Sequence, residues 1–267
     1  MKILDWINLE DRVVIVTGGS SGIGKAIVDE LAKQNVKVII ADLNNIDDKR
    51  NNVFFKLTDI SSRESVVNLV EWVYSNFGKI DALVNNAGIN LPRLLVDSNQ
   101  LESRYELEDK VFDKMIDINL KGVFIISQCV ARYMINSGKG VIINISSECG
   151  LEGSEGQSCY AATKAALNSF TRSWAKELGK YGIRVVGVAP GIMEKTGLRT
   201  LEYEEALAYT RGITVEKLRE GYTKNSIPIG REGRLSEIAD AVTYFISDKA
   251  SYITGITCNI SGGKTRG

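Results

Sequence analysis

The chain has no histidine in 267 residues. That absence excludes Ser-His-Asp and Cys-His nucleophilic sites and the usual histidine-containing zinc sites. Acid-base chemistry must therefore draw on Tyr, Lys, Asp, Glu or Cys. Cysteine is sparse: Cys129, Cys149, Cys159 and Cys258 form no CxxC pair. Their scatter argues against a metal site and predicts reduced thiols in the cytoplasm. An excess of charge is also missing, because 33 basic residues balance 33 acidic ones. Nucleic acid, held through surplus Lys and Arg, is thus not an expected partner. The near-neutral balance is compatible with self-association. No apolar stretch approaches the roughly 18 residues of a membrane helix. Met1 to Asp11 lacks a basic start followed by an apolar run, so no secretion signal is expected.

What the chain does have is a rhythm of short β-branched runs and longer amphipathic stretches. Val13–Val16, Val36–Ala41, Val53–Phe55, Ala82–Val84, Val141–Ile145, Arg184–Val188 and Ile256–Ile260 read as strands. Helical patterns follow several of them, over Ile23–Gln34 and Ser62–Phe77. Continuous apolar strands separated by helices predict an α/β fold with a doubly wound parallel sheet covered on both faces, a Rossmann-like arrangement. No linker or repeat divides residues 1–267, so a single domain is expected. Two segments break the rhythm: the polar stretch Asn90–Asp109, and Pro190–Gly230 with its helix formers from Leu201 to Tyr222. Both begin at the carboxyl end of a strand, where ligand-binding loops belong.

Between the first strand and first helix stands Thr17-Gly18-Gly19-Ser20-Ser21-Gly22-Ile23-Gly24. Glycines permit a tight turn and close backbone approach to a pyrophosphate, and a helix N-terminus offers unpaired N–H donors. The spacing is GxxxGxG, not the commoner GxGxxG, so its weight comes from context: a strand before, a helix after and an acid downstream. That acid is Asp42, at the end of the second strand. Its carboxylate is placed to accept both ribose hydroxyls of NAD and to repel the 2′-phosphate of NADP, so NAD is the expected cofactor. Asp59 and Ile60 are placed to border the adenine, and Asn86, Ala87 and Gly88 to let backbone approach the cofactor.

Tyr160 and Lys164 open a further helix, and a spacing of four puts both side chains on one face. A phenol with a pKa near ~10 is a poor base at neutral pH, but an adjacent ammonium favours phenolate. With histidine absent, this pair is the candidate for proton transfer. Ser147 lies thirteen residues before the tyrosine, at the end of the fifth strand, where its hydroxyl can hold an oxygen that develops charge. Ser146 competes for that role, and strand alternation does not decide between them.

The glycine turn, Asn85-Asn86-Ala87-Gly88, Asn119, Ser147, Tyr160, Lys164 and Pro190-Gly191 together resemble the short-chain dehydrogenase/reductases over nearly the whole chain. The resemblance implies a seven-stranded sheet, assembly as a tetramer or dimer, and an NAD-dependent alcohol dehydrogenase or ketone reductase. It assigns acid/base chemistry to Tyr160, pKa modulation and ribose contact to Lys164, and substrate orientation to Ser147. Asn119, within a long helix, would support a water-linked proton relay, with a capping role as the alternative. Pro190, Gly191 and Ile192 join the cofactor-binding set. Many members place a threonine five residues after the proline, whereas Thr196 comes six after, which leaves its reach to the nicotinamide open.

Within the family, Gly150–Gln157, Val185–Leu207 and Ser261–Gly267 look like members acting on phosphorylated polyols. The implied reaction interconverts D-sorbitol 6-phosphate and D-fructose 6-phosphate. Such a substrate needs a dianion site, and Arg93, Arg199, Arg211, Lys217, Arg219 and Lys224 lie on the two excursions. Arginine suits phosphate because its planar fork pairs two oxygens. Arg199 is the first candidate and Arg93 the second, either being alternatively a solvated surface charge. Glu152 is the candidate for polyol hydroxyls, beside Glu148 and Glu155 on the same loop. A reductase of 3-oxoacyl thioesters or another polyol, or a silent NAD-binding regulator, are the competing readings.

Overall fold

Runs of Val and Ile favour pleated backbone, because a branched Cβ loses χ1 freedom in a helix and packs well against neighbouring strands. In the computed structural model, which describes residues 6–99, 103–222 and 226–265, such runs form the parallel sheet. Its strands are β1 (Val13–Thr17), β2 (Lys37–Asp42), β3 (Val53–Leu57), β4 (Ala82–Asn85), β5 (Gly140–Ile145), β6 (Ile183–Pro190) and β7 (Thr257–Ile260). They lie in the order β3-β2-β1-β4-β5-β6-β7, all pairs parallel. Lys224, Arg266 and Gly267, named above among the expectations, lie outside the described residues.

The helices are α1 (Gly22–Lys33), α2 (Arg63–Phe77), α3 (Asp109–Ile116), α4 (Val123–Ser137), α5 (Cys149–Glu152), α6 (Ser158–Leu178), α7 (Leu201–Thr210), α8 (Val215–Glu220) and α9 (Leu235–Ile246). Side chains of β1 alternate between two apolar layers. Val14 and Val16 join Ile27, Val28 and Leu31 of α1 and Ile238, Val242 and Ile246 of α9. Val13 and Ile15 join Val66, Leu69 and Val73 of α2 and Ile126, Val130 and Met134 of α4 on the other face. Each fully buried Val, Ile or Leu adds about 1.5–3 kcal/mol of transfer free energy. Both faces are covered, so the strands read as continuous apolar runs, not alternating ones.

The helix expected around Asn119 is not regular. A π-helical segment, Asp117–Gly122, separates α3 from α4. Gly122 closes it against Ile60, where an added Cβ would come within 3.0 Å of that side chain. Such wide turns recur at functional sites, and this one carries Asn119 inward. The excursion after β6 folds into α7 and α8 around a small apolar cluster of Leu207, Ala208, Leu218 and Tyr222.

Candidate active site

The strand order reverses between β1 and β4, and a crevice opens at their carboxyl ends, as expected for an open α/β sheet. Thr17 joins the two ends. Its hydroxyl donates to the Val84 carbonyl at 3.2 Å and accepts from the amides of Asn86 and Ala87 at 3.0 Å each. The Asn86 side chain returns two bonds of 3.0 Å, to the carbonyls of Thr17 and Gly18. Gly18 and Gly22 adopt left-handed backbone, with φ of 63° and 54°. A Cβ on Gly24 would overlap the Gly18 carbonyl oxygen, so only glycine lets α1 start directly behind the turn. Ser21 precedes α1 and makes no side-chain cap, which leaves first-turn amides for an anion.

Asp42 ends β2 at the crevice lip. Its carboxylate accepts from the amides of Ser20 and Asn44, both at 3.0 Å. A continuous cleft of about 510 Å³ runs from Gly18, Ser21, Gly22 and Ile23 past Asp42, Asp59 and Ile60. It continues along Asn86, Ala87 and Gly88 to Ser147, Tyr160 and Lys164, and along Pro190, Gly191 and Ile192. Ser20 and Gly24 stand behind this lining: the Ser20 hydroxyl donates to the Asn44 carbonyl, and Gly24 packs beneath Gly18. Glycine-only backbone, free helix-start amides and an acid at the end of the adjacent strand fit a nicotinamide dinucleotide. Thr196 packs over Gly22, so the loop after β6 covers the glycine turn.

At the other end of the cleft, Tyr160 and Lys164 project from the first turns of α6. The Lys164 ammonium nitrogen lies 5.7 Å from the centre of the Tyr160 ring and donates to the Ile145 carbonyl at 2.8 Å. The Ser146 hydroxyl is spent on the Lys164 carbonyl at 3.0 Å. Ser147, by contrast, lines the cleft together with Tyr160, and its hydroxyl accepts only a long bond of 3.3 Å from the Cys149 amide, which leaves its proton available to the cleft. Asn119 is fully buried. Its oxygen accepts from the Ile89 amide at 2.8 Å, and its nitrogen donates to the Ile89 carbonyl at 2.8 Å and to the Thr163 hydroxyl at 3.3 Å. A Cβ at Gly88 would stand 3.1 Å from Asn119 and 3.6 Å from the Lys164 ammonium, so glycine keeps these groups together.

The electrostatics of this cluster differ from the simple expectation of an ammonium lowering a phenol. Burial pushes the Tyr160 hydroxyl above its ordinary value, with the Ser147 hydrogen bond working in the opposite direction. Burial likewise pushes Lys164 down to about 8. Desolvation disfavours both charged forms and is the largest influence on each group.

The substrate candidates separate. Arg199 lines the cleft, but its guanidinium donates to Glu232 at 2.8 Å and to the Met193 carbonyl at 3.2 Å. Arg93 donates to the Pro92 carbonyl at 2.7 Å and does not line the cleft. Glu152 lines it and faces the Lys264 ammonium at 3.5 Å. Sequence reasoning named Thr17 only as the start of the glycine turn and the tail only for its resemblance, and found neither one's contacts. Thr265 donates to Glu148 at 2.8 Å, and Lys264 bonds the same carboxylate at 2.8 Å, so the residue after Ser147 is braced by the chain's end. No local pattern signals a contact across more than a hundred residues. Among the described residues, no group of three or more His, Cys, Asp or Glu is placed to hold a metal ion.

Fold and crevice together define a dinucleotide-dependent oxidoreductase. The family model for short chain dehydrogenase matches residues 12–206, and the chain belongs to that family. It is 66% identical over 264 residues to a sorbitol-6-phosphate 2-dehydrogenase of Klebsiella pneumoniae, covering 98% of this chain and 99% of the relative. A 3-oxoacyl-(acyl-carrier-protein) reductase of Thermotoga maritima is 36% identical, covering 96% of this chain and 99% of that protein. Among solved structures, a 3-ketoacyl-(acyl-carrier-protein) reductase of Brucella melitensis complexed with NADH superposes with a TM-score of 0.81 at 29% identity. That match covers 97% of this chain and 100% of the other.

Proposed function

We propose that the protein is an NAD(H)-dependent oxidoreductase interconverting D-sorbitol 6-phosphate and D-fructose 6-phosphate. The observation that carries this reading is the Ser147–Tyr160–Lys164 cluster at one end of a dinucleotide-shaped cleft, in a chain 66% identical to a relative of that activity. Bound nicotinamide would supply hydride exchange with the substrate's carbinol carbon. The chain's own residues do the rest. Ser147 donates to the substrate oxygen and fixes it beside the phenol. Tyr160 gives its proton to that oxygen in reduction and takes it in oxidation. Lys164, held by the Ile145 carbonyl, places positive charge beside the phenol and reaches toward the ribose. Asn119 holds the Ile89 backbone, next to the glycine that lies beside Lys164, and from there a water-linked path would resupply the proton.

Glu152, Arg199 and Arg211 all line the substrate end and give it charged walls. Charged walls are a poor fit for an acyl thioester. Assaying NADH oxidation with fructose 6-phosphate, fructose and an acetoacetyl thioester tests the reading. Fructose 6-phosphate should lead in kcat/KM by on the order of 10- to 100-fold, the worth of one or two charge-assisted hydrogen bonds. A preference for the thioester would overturn it.

Asp42 supports NAD(H) over NADP(H). Asp42→Asn removes the charge and keeps one of the two oxygens that accept from the Ser20 and Asn44 amides. It should raise KM for NADH about tenfold and improve turnover with NADPH. Equal wild-type efficiency with both nucleotides would refute the assignment. The same reading puts the enzyme in the cytoplasm, which its four free thiols support, as a homo-oligomer, which exposed Phe112 and Phe124 on successive helices support. Among the described residues, no helix is long and apolar enough to cross a membrane.

A further inference from the structure

The cations at the substrate end of the cleft are not equivalent, and their partners sort them. Arg199 is paired with Glu232, lies within 3.9 Å of Glu204, and stacks over the Tyr222 ring at 4.7 Å. Lys264 is paired with Glu148 at 2.8 Å and faces Glu152 at 3.5 Å. Both charges are already compensated, so an arriving phosphate would have to compete with a carboxylate for each.

Arg211 also lines the cleft and has no ion pair among the described residues. Among the described residues its guanidinium donates to the Ser154 hydroxyl at 3.0 Å, a neutral partner that leaves most of the fork unspent. Ser154 in turn donates to the Gln157 side-chain oxygen at 2.6 Å, and Gln157 donates to the Tyr203 hydroxyl at 3.1 Å. The Tyr203 proton is thereby free to point into the cleft. Gln157 stands three residues before Tyr160, so this polar track runs from the proton donor outward to the arginine.

The placement is built in. Gly156 has φ of 74°, and a Cβ there would overlap the Thr210 side chain. The loop before α6 and the end of α7 therefore meet backbone to side chain, and Arg211 follows directly on Thr210. A phosphate four carbons from the reacting carbinol carbon would extend along this track, away from Tyr160.

We propose that Arg211, steadied by Ser154 and joined by the Tyr203 hydroxyl, grips the phosphate of the substrate, and that Arg199 is a structural cation tying the loop after β6 to Glu232. This assignment rests on the phosphorylated-polyol reading above. A planar fork pairs two phosphate oxygens, and an uncompensated charge in a cleft gains more from a dianion than one already neutralised.

The test is steady-state kinetics of the wild type and of Arg211→Gln, Arg211→Lys and Arg199→Gln, with fructose 6-phosphate and with free fructose, at saturating NADH. Arg211→Gln should raise KM for fructose 6-phosphate by about 10- to 100-fold, and far more than for fructose, so the selectivity ratio collapses. Arg211→Lys keeps the charge without the fork and should fall between. Arg199→Gln should shift both sugars alike. Inorganic phosphate should inhibit the wild type competitively against fructose 6-phosphate, and Arg211→Gln should be released from that inhibition. A selectivity ratio untouched by Arg211→Gln, or one collapsed by Arg199→Gln instead, would overturn the assignment. A wild type that does not prefer fructose 6-phosphate over fructose sinks the substrate reading itself, which is a different result from a selective enzyme whose selectivity ignores Arg211.

Discussion

Tyr160→Phe is expected to lower kcat by about 10²- to 10⁴-fold while NADH binding, read by nucleotide fluorescence, stays within about twofold. The substitution removes one oxygen and keeps the ring against which the Lys164 ammonium lies at 5.7 Å. The cleft is otherwise unchanged, because Ser147 retains the Cys149 amide as a partner at 3.3 Å. No histidine is available anywhere in the chain to take over the proton. Glu148, the nearest acid in sequence to Ser147, is committed to Lys264 and Thr265. A Phe variant keeping more than a tenth of wild-type turnover would show that another group carries the proton, and a silent NAD-binding role would leave both proteins inactive from the outset.

Lys164→Met should cost a similar factor in kcat and leave a second signature in stability. Burial lowers the lysine to about 8, below the ordinary value of 10.5 found in the unfolded chain. At pH 7 both states carry the charge, and the folded one bears its desolvation cost. Between about pH 8 and 10 the folded state releases its proton first, so the unfolded state binds more protons and stability rises with pH. The stability of the wild type relative to Lys164→Met should therefore climb across that window, by up to about 3 kcal/mol. Above about pH 10 the raised Tyr160 works in the opposite sense, since the unfolded chain then loses the phenolic proton first. Cofactor-free protein melted at pH 7 and at pH 9.5 measures the difference. A constant offset between the two proteins would mean that Lys164 is not held near neutrality in the folded state.

The two results bear on one arrangement. Lone burial disfavours both phenolate and ammonium, so the pair is poised by its surroundings and not by its spacing alone. A four-residue interval on a helix specifies only that two side chains share a face. That they face Ser147 and the Ile145 carbonyl depends on β5 and α6 being packed together, with the Ser146 hydroxyl bound to the Lys164 carbonyl at 3.0 Å.

Much of the remaining architecture was readable in the same uneven way. All seven strands were anticipated from β-branched runs, with ends shifted by one or two residues, because the central ones are buried on both faces and leave an unbroken apolar signature, while the edge strands β3 and β7 are only partly buried. The π-helical segment at Asn119 left no such mark, since its widened turn is a response to Ile60 and the Ile89 backbone from distant parts of the chain. Arg199 and Arg211 illustrate the same limit at the substrate end. Proximity in sequence to Pro190-Gly191 favoured Arg199, but Glu232, thirty-three residues later, compensates its charge. The tail bonds from Lys264 and Thr265 to Glu148 were equally invisible to local reading.

The amino-acid order by itself determined the alternation of strands and helices, the glycine turn, the acid at the end of the second strand and the shared face of Tyr160 and Lys164. Those features are local, governed by side-chain shape and backbone freedom within a few residues. Tertiary structure alone decided which serine hydroxyl is spent on the Lys164 carbonyl, which arginine of the cleft has no ion pair among the described residues, and which way burial moves the two titrating groups. Charge pairing and desolvation depend on neighbours brought from far along the chain, and no nearby residue announces them.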